Sequence, residues 1–261
     1  MIEREFNYKK LKMMEIFYVK DIGNLLKEKR YKNVDILKIN QTNLKYNDDF
    51  RPFHTLFIDL FQPEEDIFKK FKSNYRNEIN KNIRDDGVKY EWIISPSLDE
   101  MKTIHADLVS FSKFKGWDVN EELELGRTVD FLENCVVSHV RLNDIKIASH
   151  VYFVDSKERA RLRFSVSYRM DDDVDFKLVG RSNKALHWFD MQELKKMGIN
   201  IYDFGGAIRI DENRKILGGG ISGFKKGFSD NLVTEYTGEI PLTLKGKIAT
   251  AAWKFLKKRK K

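Results

Sequence analysis

Two side chains in this 261-residue sequence sit where proton transfer could be organised, His150 and Asp203. An unperturbed imidazole titrates near neutrality, which suits a general base, and His150 falls on the central strand of a predicted three-strand run. A satisfied core histidine is the plainer reading. Asp203 ends a predicted strand just before Gly205-Gly206, where backbone without side chains can approach a ligand closely. The plainer alternative there is a turn cap. Arg76, Asn77 and Lys81 share the polar side of a predicted helix and could hold phosphates, or could be solvated. Trp117 could stack on a base or a sugar, or be buried. The single Cys135 and the absence of cysteine or histidine pairs at zinc-ligand spacing leave no metal site to expect.

The elements that would position these residues follow from periodicity. Residues 34–40 and 54–60 read as strands. Pro63 opens a predicted helix whose apolar residues Phe71, Tyr75, Ile79 and Ile83 recur every fourth position, up to Gly87. Ser97 and Glu100 form a capping-box pattern ahead of Met101, Ile104, Leu108 and Phe111. A further helix is expected from Glu121 to Asn134. Three strands follow at 135–140, 145–154 and 159–167, then a helix at about 181–197 and a strand at Ile199–Phe204. A glycine-rich loop, a short helix near 221–228 and a strand at 231–238 complete the run.

Composition bounds the class. Hydrophobic residues at 41%, with 19 Phe, 10 Tyr and 4 Trp, predict a packed core. No window approaches about twenty apolar residues, and the first residues lack a secretory pattern, so a cytoplasmic location is expected. The formal charge is +8, but the stretch from Leu244 to Lys261 holds eight basic residues and no acid. Without it, basic and acidic residues number 40 each, so a nucleic-acid partner is not expected. The apolar residues from Ile248 to Leu256, followed by Lys257–Lys261, could instead touch an anionic membrane surface or form a frayed terminus.

Two stretches, in this order, carry a family resemblance. One is Tyr75-Arg76-Asn77-Glu78-Ile79-Asn80-Lys81-Asn82-Ile83-Arg84 leading to Gly87. The other is Tyr202-Asp203-Phe204-Gly205-Gly206 followed by Gly220-Ile221-Ser222-Gly223-Phe224-Lys225-Lys226-Gly227-Phe228. Together, over residues 54–240, they resemble the Fem-type nonribosomal peptidyltransferases and their acyltransferase relatives, built from paired GNAT-like domains. The resemblance implies an α/β (α+β) fold with a mixed, largely antiparallel sheet flanked by helices. The expected modules are a reduced one at 1–96, an acyltransferase module at 97–242 and a basic segment at 243–261. Fem-type bridge-forming enzymes are usually longer and often carry a coiled-coil arm, for which this length leaves no room.

The compact branch of that family implies an N-acyltransferase taking acyl-CoA as donor and a nucleotide-linked amino sugar as acceptor. The amine attacks directly, with no covalent enzyme intermediate. Coenzyme A would lie along the strand at 159–167, near Ser165 and Tyr168, with its pyrophosphate at the start of the next helix. Lys177, Gly180, Arg181, Ser182 and Asn183 loosely match the phosphate loop of GNAT enzymes. Lys225, beside Phe224, matches a functional Phe-Lys pair of the family and would balance charge on the reacting carbonyl oxygen. Tyr202 or Tyr168 would protonate the leaving thiol. The alternatives are an aminoacyl-tRNA-dependent peptidyltransferase acting on a peptidoglycan precursor, and a non-catalytic binding module.

Overall fold

In the computed structural model residues 1–117, 125–126, 128–168 and 175–259 are described. Chain order gives β1 (Ile2–Tyr8), β2 (Leu11–Phe17), α1 (Ile22–Leu25), β3 (Ile36–Thr42), β4 (Arg51–Asp59), α2 (Glu64–Lys70), α3 (Ser73–Asp85) and β5 (Lys89–Ile94). Next come α4 (Leu98–Phe114), β6 (Cys135–Leu142), β7 (Ile145–Asp155), β8 (Arg159–Ser167) and α5 (Phe176–Lys196). β9 (Ile201–Asp203), α6 (Gly220–Lys225), β10 (Leu232–Pro241) and α7 (Leu244–Arg259) complete it. Two compact units result, Thr55–Leu232 and Met1–His54 with Val233–Lys261.

In the larger unit the strands run in the order β4-β9-β8-β7-β6-β5. All neighbours are antiparallel except β8 and β9, which run parallel. The strand meander expected from 135 to 167 is present, with Asn143 taking the positive φ of its first turn. Because strand side chains alternate, β8 sends Ser165 toward α5 and Phe164 and Val166 toward α4 on the other face. Leu56, Phe71, Ile79, Trp188, Tyr202 and Phe228 centre the core on the α5 side. The capping box at Ser97 and Glu100 forms as expected.

The single helix expected after Pro63 is two helices. Phe71 and Lys72 are extended (ψ 148° and 143°). The Phe71 ring packs edge-on to Trp188 and Phe228, and the Lys72 N–H bonds the Gly227 carbonyl at 2.9 Å. Tertiary packing thus overrides an unbroken i, i+4 pattern. Ile83, assigned to the apolar face, is 55% exposed. Of the helix expected over Glu121–Asn134, residues 121–124 and 127 lie outside the described residues; 125–126 and 128–129 are helical, and Leu132–Asn134 forms a 3-10 turn.

The smaller unit pairs β1 with β2 antiparallel, β2 with β3 parallel and β3 with β10 antiparallel. Its core is Ile16, Val19, Tyr31, Leu37, Ile39, Phe50 and Ile240. β1 and β2 were not expected from sequence. The buried Arg4–Glu15 pair, 2.8 Å apart, puts charge where a strand pattern would show an apolar residue. The unit boundaries also differ from those expected at 96/97 and 242/243, because β10 returns to β3 and α7 docks beside it. Gly246 permits that docking, since an added Cβ would lie 2.2 Å from the Asp35 carbonyl oxygen. The basic segment is therefore a packed helix through Arg259.

Candidate functional site

Strand β9 is short. It pairs with β8 only over Arg159–Arg161, opposite Ile201–Asp203, and β8 then continues to Ser167 without it. The divergence starts at Phe204, where the chain turns into the glycine loop. Gly205 has φ +66°, and an added Cβ would sit 2.5 Å from the Leu162 carbonyl oxygen, so only glycine fits the turn. Beyond Arg161, β8 therefore runs on to Ser167 without β9 beside it.

Asp203 holds that turn. Its Oδ1 accepts from the Thr55 hydroxyl at 2.5 Å and from the Gly205 N–H at 2.8 Å, and its other oxygen faces Arg159 at 3.6 Å. Fully buried and bonded, Asp203 is a turn cap, which corrects its expected role as a base. Lys225 closes the loop from the other side. Its ammonium donates to the carbonyls of Phe204 (2.7 Å), Gly205 (3.3 Å) and Gly206 (2.6 Å). Burial pulls its pKa down to about 8, against the attraction of Asp203. The three carbonyls use its three donors, so Lys225 shapes the loop and offers no free N–H to a substrate oxygen here. Ser222 adds a further tie, accepting from the Arg209 N–H and donating to the Ala207 carbonyl.

Beside this loop lies a buried polar relay built by β7, β9 and α5. Residues 183, 187 and 190 share one face of α5, opposite His150 and Tyr152 of β7. Each hydroxyl has one proton, so bond directions are forced. Tyr152 donates to Asp190 Oδ2 (2.5 Å), its oxygen accepts from Tyr202 (2.7 Å), and the Tyr202 oxygen accepts from His187 Nδ1 (2.5 Å). His150 Nδ1 donates to the same Asp190 oxygen at 2.6 Å, and its Nε2 faces Asn183 Oδ1 at 2.8 Å. Ser165 donates to that amide oxygen at 3.3 Å. His150 is thus held between the Asp190 carboxylate and the Asn183 side-chain amide.

Burial fixes the protonation of the rest. It drives the His187 ring well below the usual imidazole range, with neighbouring positive charge on His150 adding to the effect. It also raises both phenols well above theirs. Tyr202, expected to protonate a leaving thiol, is instead locked inside the relay with no exposed surface. Asp190 Oδ1 has no partner. The donor atoms of His150, His187 and Asp190 lie within 4.8 Å of one another, but both Nδ1 atoms and Oδ2 are already spent on hydrogen bonds. Asn183 and Ser165, both half-buried, are where the relay reaches toward solvent.

The predicted phosphate loop is helical: Lys177 falls in the first turn of the helix, and Gly180 to Asn183 lie beyond that turn. Helix α5 begins at Phe176, and the Asp175 carboxylate caps it by accepting from the N–H groups of Lys177 and Leu178. Gly180 is therefore inside the helix, with its amide turned into the ladder. Arg181 makes a two-point ion pair with Asp86, 2.9 Å at each contact, and buried Ser182 accepts from Asn82. Lys177 is exposed. Of the expected cofactor group, the structure brings only Ser165 and Asn183 to the relay. Tyr168 lies on the opposite face, donating to Asp107 at 2.5 Å, with its proton held firmly by burial and that carboxylate.

Of the expected acceptor group, Arg76 is spent on the carbonyls of Lys69 and Phe71, closing the end of α2. Asn77 and Lys81 are exposed on α3. Trp117 is 46% exposed and stands edge-on to Phe111 on the α4 side. Phe224 is half-buried, 5.5 Å from the His187 ring and 5.9 Å from Tyr75. It is the one member of this group beside the relay.

Two buried histidines set an acid limit on folding. His139, bonded to Ser149 at 2.7 Å, is pulled down to about 4 by burial, and His187 lies well below its usual value. As pH falls below about 6.5 the unfolded chain protonates both rings while the native state does not, so stability is lost by about 1.4 kcal/mol per pH unit per ring. Urea midpoints should thus drop between pH 6.5 and pH 4, with His139→Gln flattening part of the slope. An unchanged midpoint over that range would contradict the burial of both rings.

No protein-family model and no curated protein matches this sequence. Solved structures do match in fold. A structure of FemX superposes with a TM-score of 0.64 at 12% identity, covering 95% of this chain and 85% of the other. L-PGS from Bacillus licheniformis gives 0.52 at 12%, covering 95% and 87%. The C-terminal domain of a proposed lysylphosphatidylglycerol synthetase from Agrobacterium fabrum gives 0.51 at 13%, covering 95% and 87%. The fold is the one these structures share, a mixed, mostly antiparallel sheet flanked by helices.

Proposed function

We propose that this protein is an aminoacyltransferase, moving an aminoacyl group from a charged tRNA to an acceptor amine by direct attack. The observation that carries the choice of donor is the start of α5. A CoA pyrophosphate needs free backbone N–H groups and positive potential at a helix N-terminus. Here the Asp175 carboxylate has taken two of those N–H groups and put negative charge at the spot. An aminoacyl ester presents no pyrophosphate and has no need of that terminus. The fold likeness to FemX and to two lysylphosphatidylglycerol-synthetase-type structures supports the same choice.

In this reading the part of β8 beyond its pairing with β9 lies along the aminoacyl group, and backbone N–H groups of the site stabilise the oxyanion as the amine attacks. The loop held by Lys225 and Asp203 keeps the site in shape. The proton lost by the attacking amine is taken up by the departing ester oxygen, which leaves as the ribose hydroxyl, so no side chain has a net change of protonation. The acyl-CoA donor loses its phosphate site, and the nucleotide-linked amino sugar loses Arg76 as a phosphate ligand.

A transfer assay with a radiolabelled amino acid tests the proposal. Label should move from charged tRNA to an amine acceptor, and acetyl-CoA should support no transfer. Turnover on acetyl-CoA, with none on charged tRNA, would overturn it.

A further inference from the structure

Helix α7 has two apolar sides, and the protein covers one. Gly246, Ala249, Thr250 and Trp253 face inward. Trp253 packs with Leu11, Met13 and Ile36, and stands edge-on to Tyr8 at 5.8 Å. Leu244, Ile248, Ala251 and Phe255 recur at i, i+4, i+7 and i+11, which confines them to an arc of about 60° on the opposite side. All four are exposed, Leu244 at 76%, Ile248 at 64% and Phe255 at 57%, and Leu256 beside them at 56%.

Cations border this stripe. Lys247 and Lys254 lie along one flank, Lys254 paired with Asp49, and Lys245 and Arg259 along the other, Lys245 paired with Asp35. Lys247 and Arg259 are the cations of the two flanks not held by these acids, and the Arg259 guanidinium is 4.9 Å from the Phe255 ring centroid. The segment from Leu244 onward contains no acidic residue. An apolar stripe between two rows of cations suits a surface whose outer layer is anionic and whose interior is hydrocarbon, because long basic side chains can reach headgroups while the stripe sinks below them. RNA offers the charge without the hydrocarbon, and a protein groove has no need of cations on both flanks. At 16 residues α7 is about 24 Å long, and among the described residues no helix is long and apolar enough to cross a membrane.

We propose that α7 is an interfacial helix that docks this protein on anionic lipid bilayers, its stripe of Leu244, Ile248, Ala251 and Phe255 entering the headgroup boundary. The inference stands apart from the choice of acyl donor, since it concerns adsorption and needs no turnover.

Flotation of the full chain with vesicles tests it. Vesicles of phosphatidylglycerol and phosphatidylcholine should carry the protein at least about tenfold better than pure phosphatidylcholine, and raised salt should weaken the binding. The double variant I248D/F255D should lose about tenfold or more of the binding while its thermal midpoint stays unchanged, because both side chains point away from the protein. K247E should lose a few-fold on anionic vesicles only. The proposal is overturned if the native protein ignores anionic vesicles, or if I248D/F255D binds them as well as the native protein. It is overturned too if that variant's only effect is to split a dimer in gel filtration, or only to weaken tRNA binding.

Discussion

Replacing Lys225 with methionine is expected to slow transfer about a hundredfold and to lower unfolding free energy by about 3 kcal/mol. Methionine fills much the same volume but leaves the carbonyls of Phe204, Gly205 and Gly206 without their shared donor. A buried polar group that loses its partner costs roughly 1–3 kcal/mol. The loop would then relax against β8, where a displacement of about 1 Å is enough to cost a hundredfold in rate. Lys225→Arg separates shape from charge, since its planar fork cannot reach three carbonyls arrayed around one nitrogen. It should keep the charge and still lose most of the activity. Transfer rates and urea denaturation read both effects, and full activity with an unshifted midpoint in Lys225→Met would refute this role.

The relay predicts a loss of similar size at Asp190. Asp190→Asn keeps the shape but removes the negative charge that two donors share, leaving the His150 ring N–H and the Tyr152 hydroxyl facing a neutral amide. A hydrogen bond to a charged group is worth about 1.5–3 kcal/mol, so weakening two costs roughly 3–5 kcal/mol. At about 2–4 °C per kcal/mol for a unit of this size, the thermal midpoint should fall by about 10 °C. Tyr202→Phe, which deletes the oxygen between Tyr152 and His187, should cost a smaller amount, near 1–2 kcal/mol. If Asp190→Asn melted with the native protein, the forced bond directions would be wrong.

Much of the relay was within reach of the sequence. Leu186, Asp190 and Leu194 recur every fourth residue, so an acid occupies a core position of an otherwise apolar helical stripe. His150 and Tyr152 alternate with buried neighbours in the same way. His187 carries no such mark, because its partner Tyr202 lies on a strand fifteen residues away. The roles expected for His150 and Tyr202, proton transfer to and from a substrate, need solvent access, and both side chains are fully buried. The strand meander and the capping box were legible because local periodicity governs them. The Phe71 break, the Asp175 cap and the return of β10 to β3 were not. The first is set by Trp188 and Phe228, the second by one residue outside an assumed boundary, and the third by pairing across some two hundred positions.

The donor decides the account most directly. Calorimetric titration of the native protein with CoA, beside an aminoacyl-adenosine amide that mimics the charged tRNA terminus, puts the two chemistries on one scale. Heat of binding is expected for the amide and none for CoA at millimolar concentration, because Asp175 occupies the helix terminus a pyrophosphate would need. Micromolar CoA binding, with none for the amide, would contradict it.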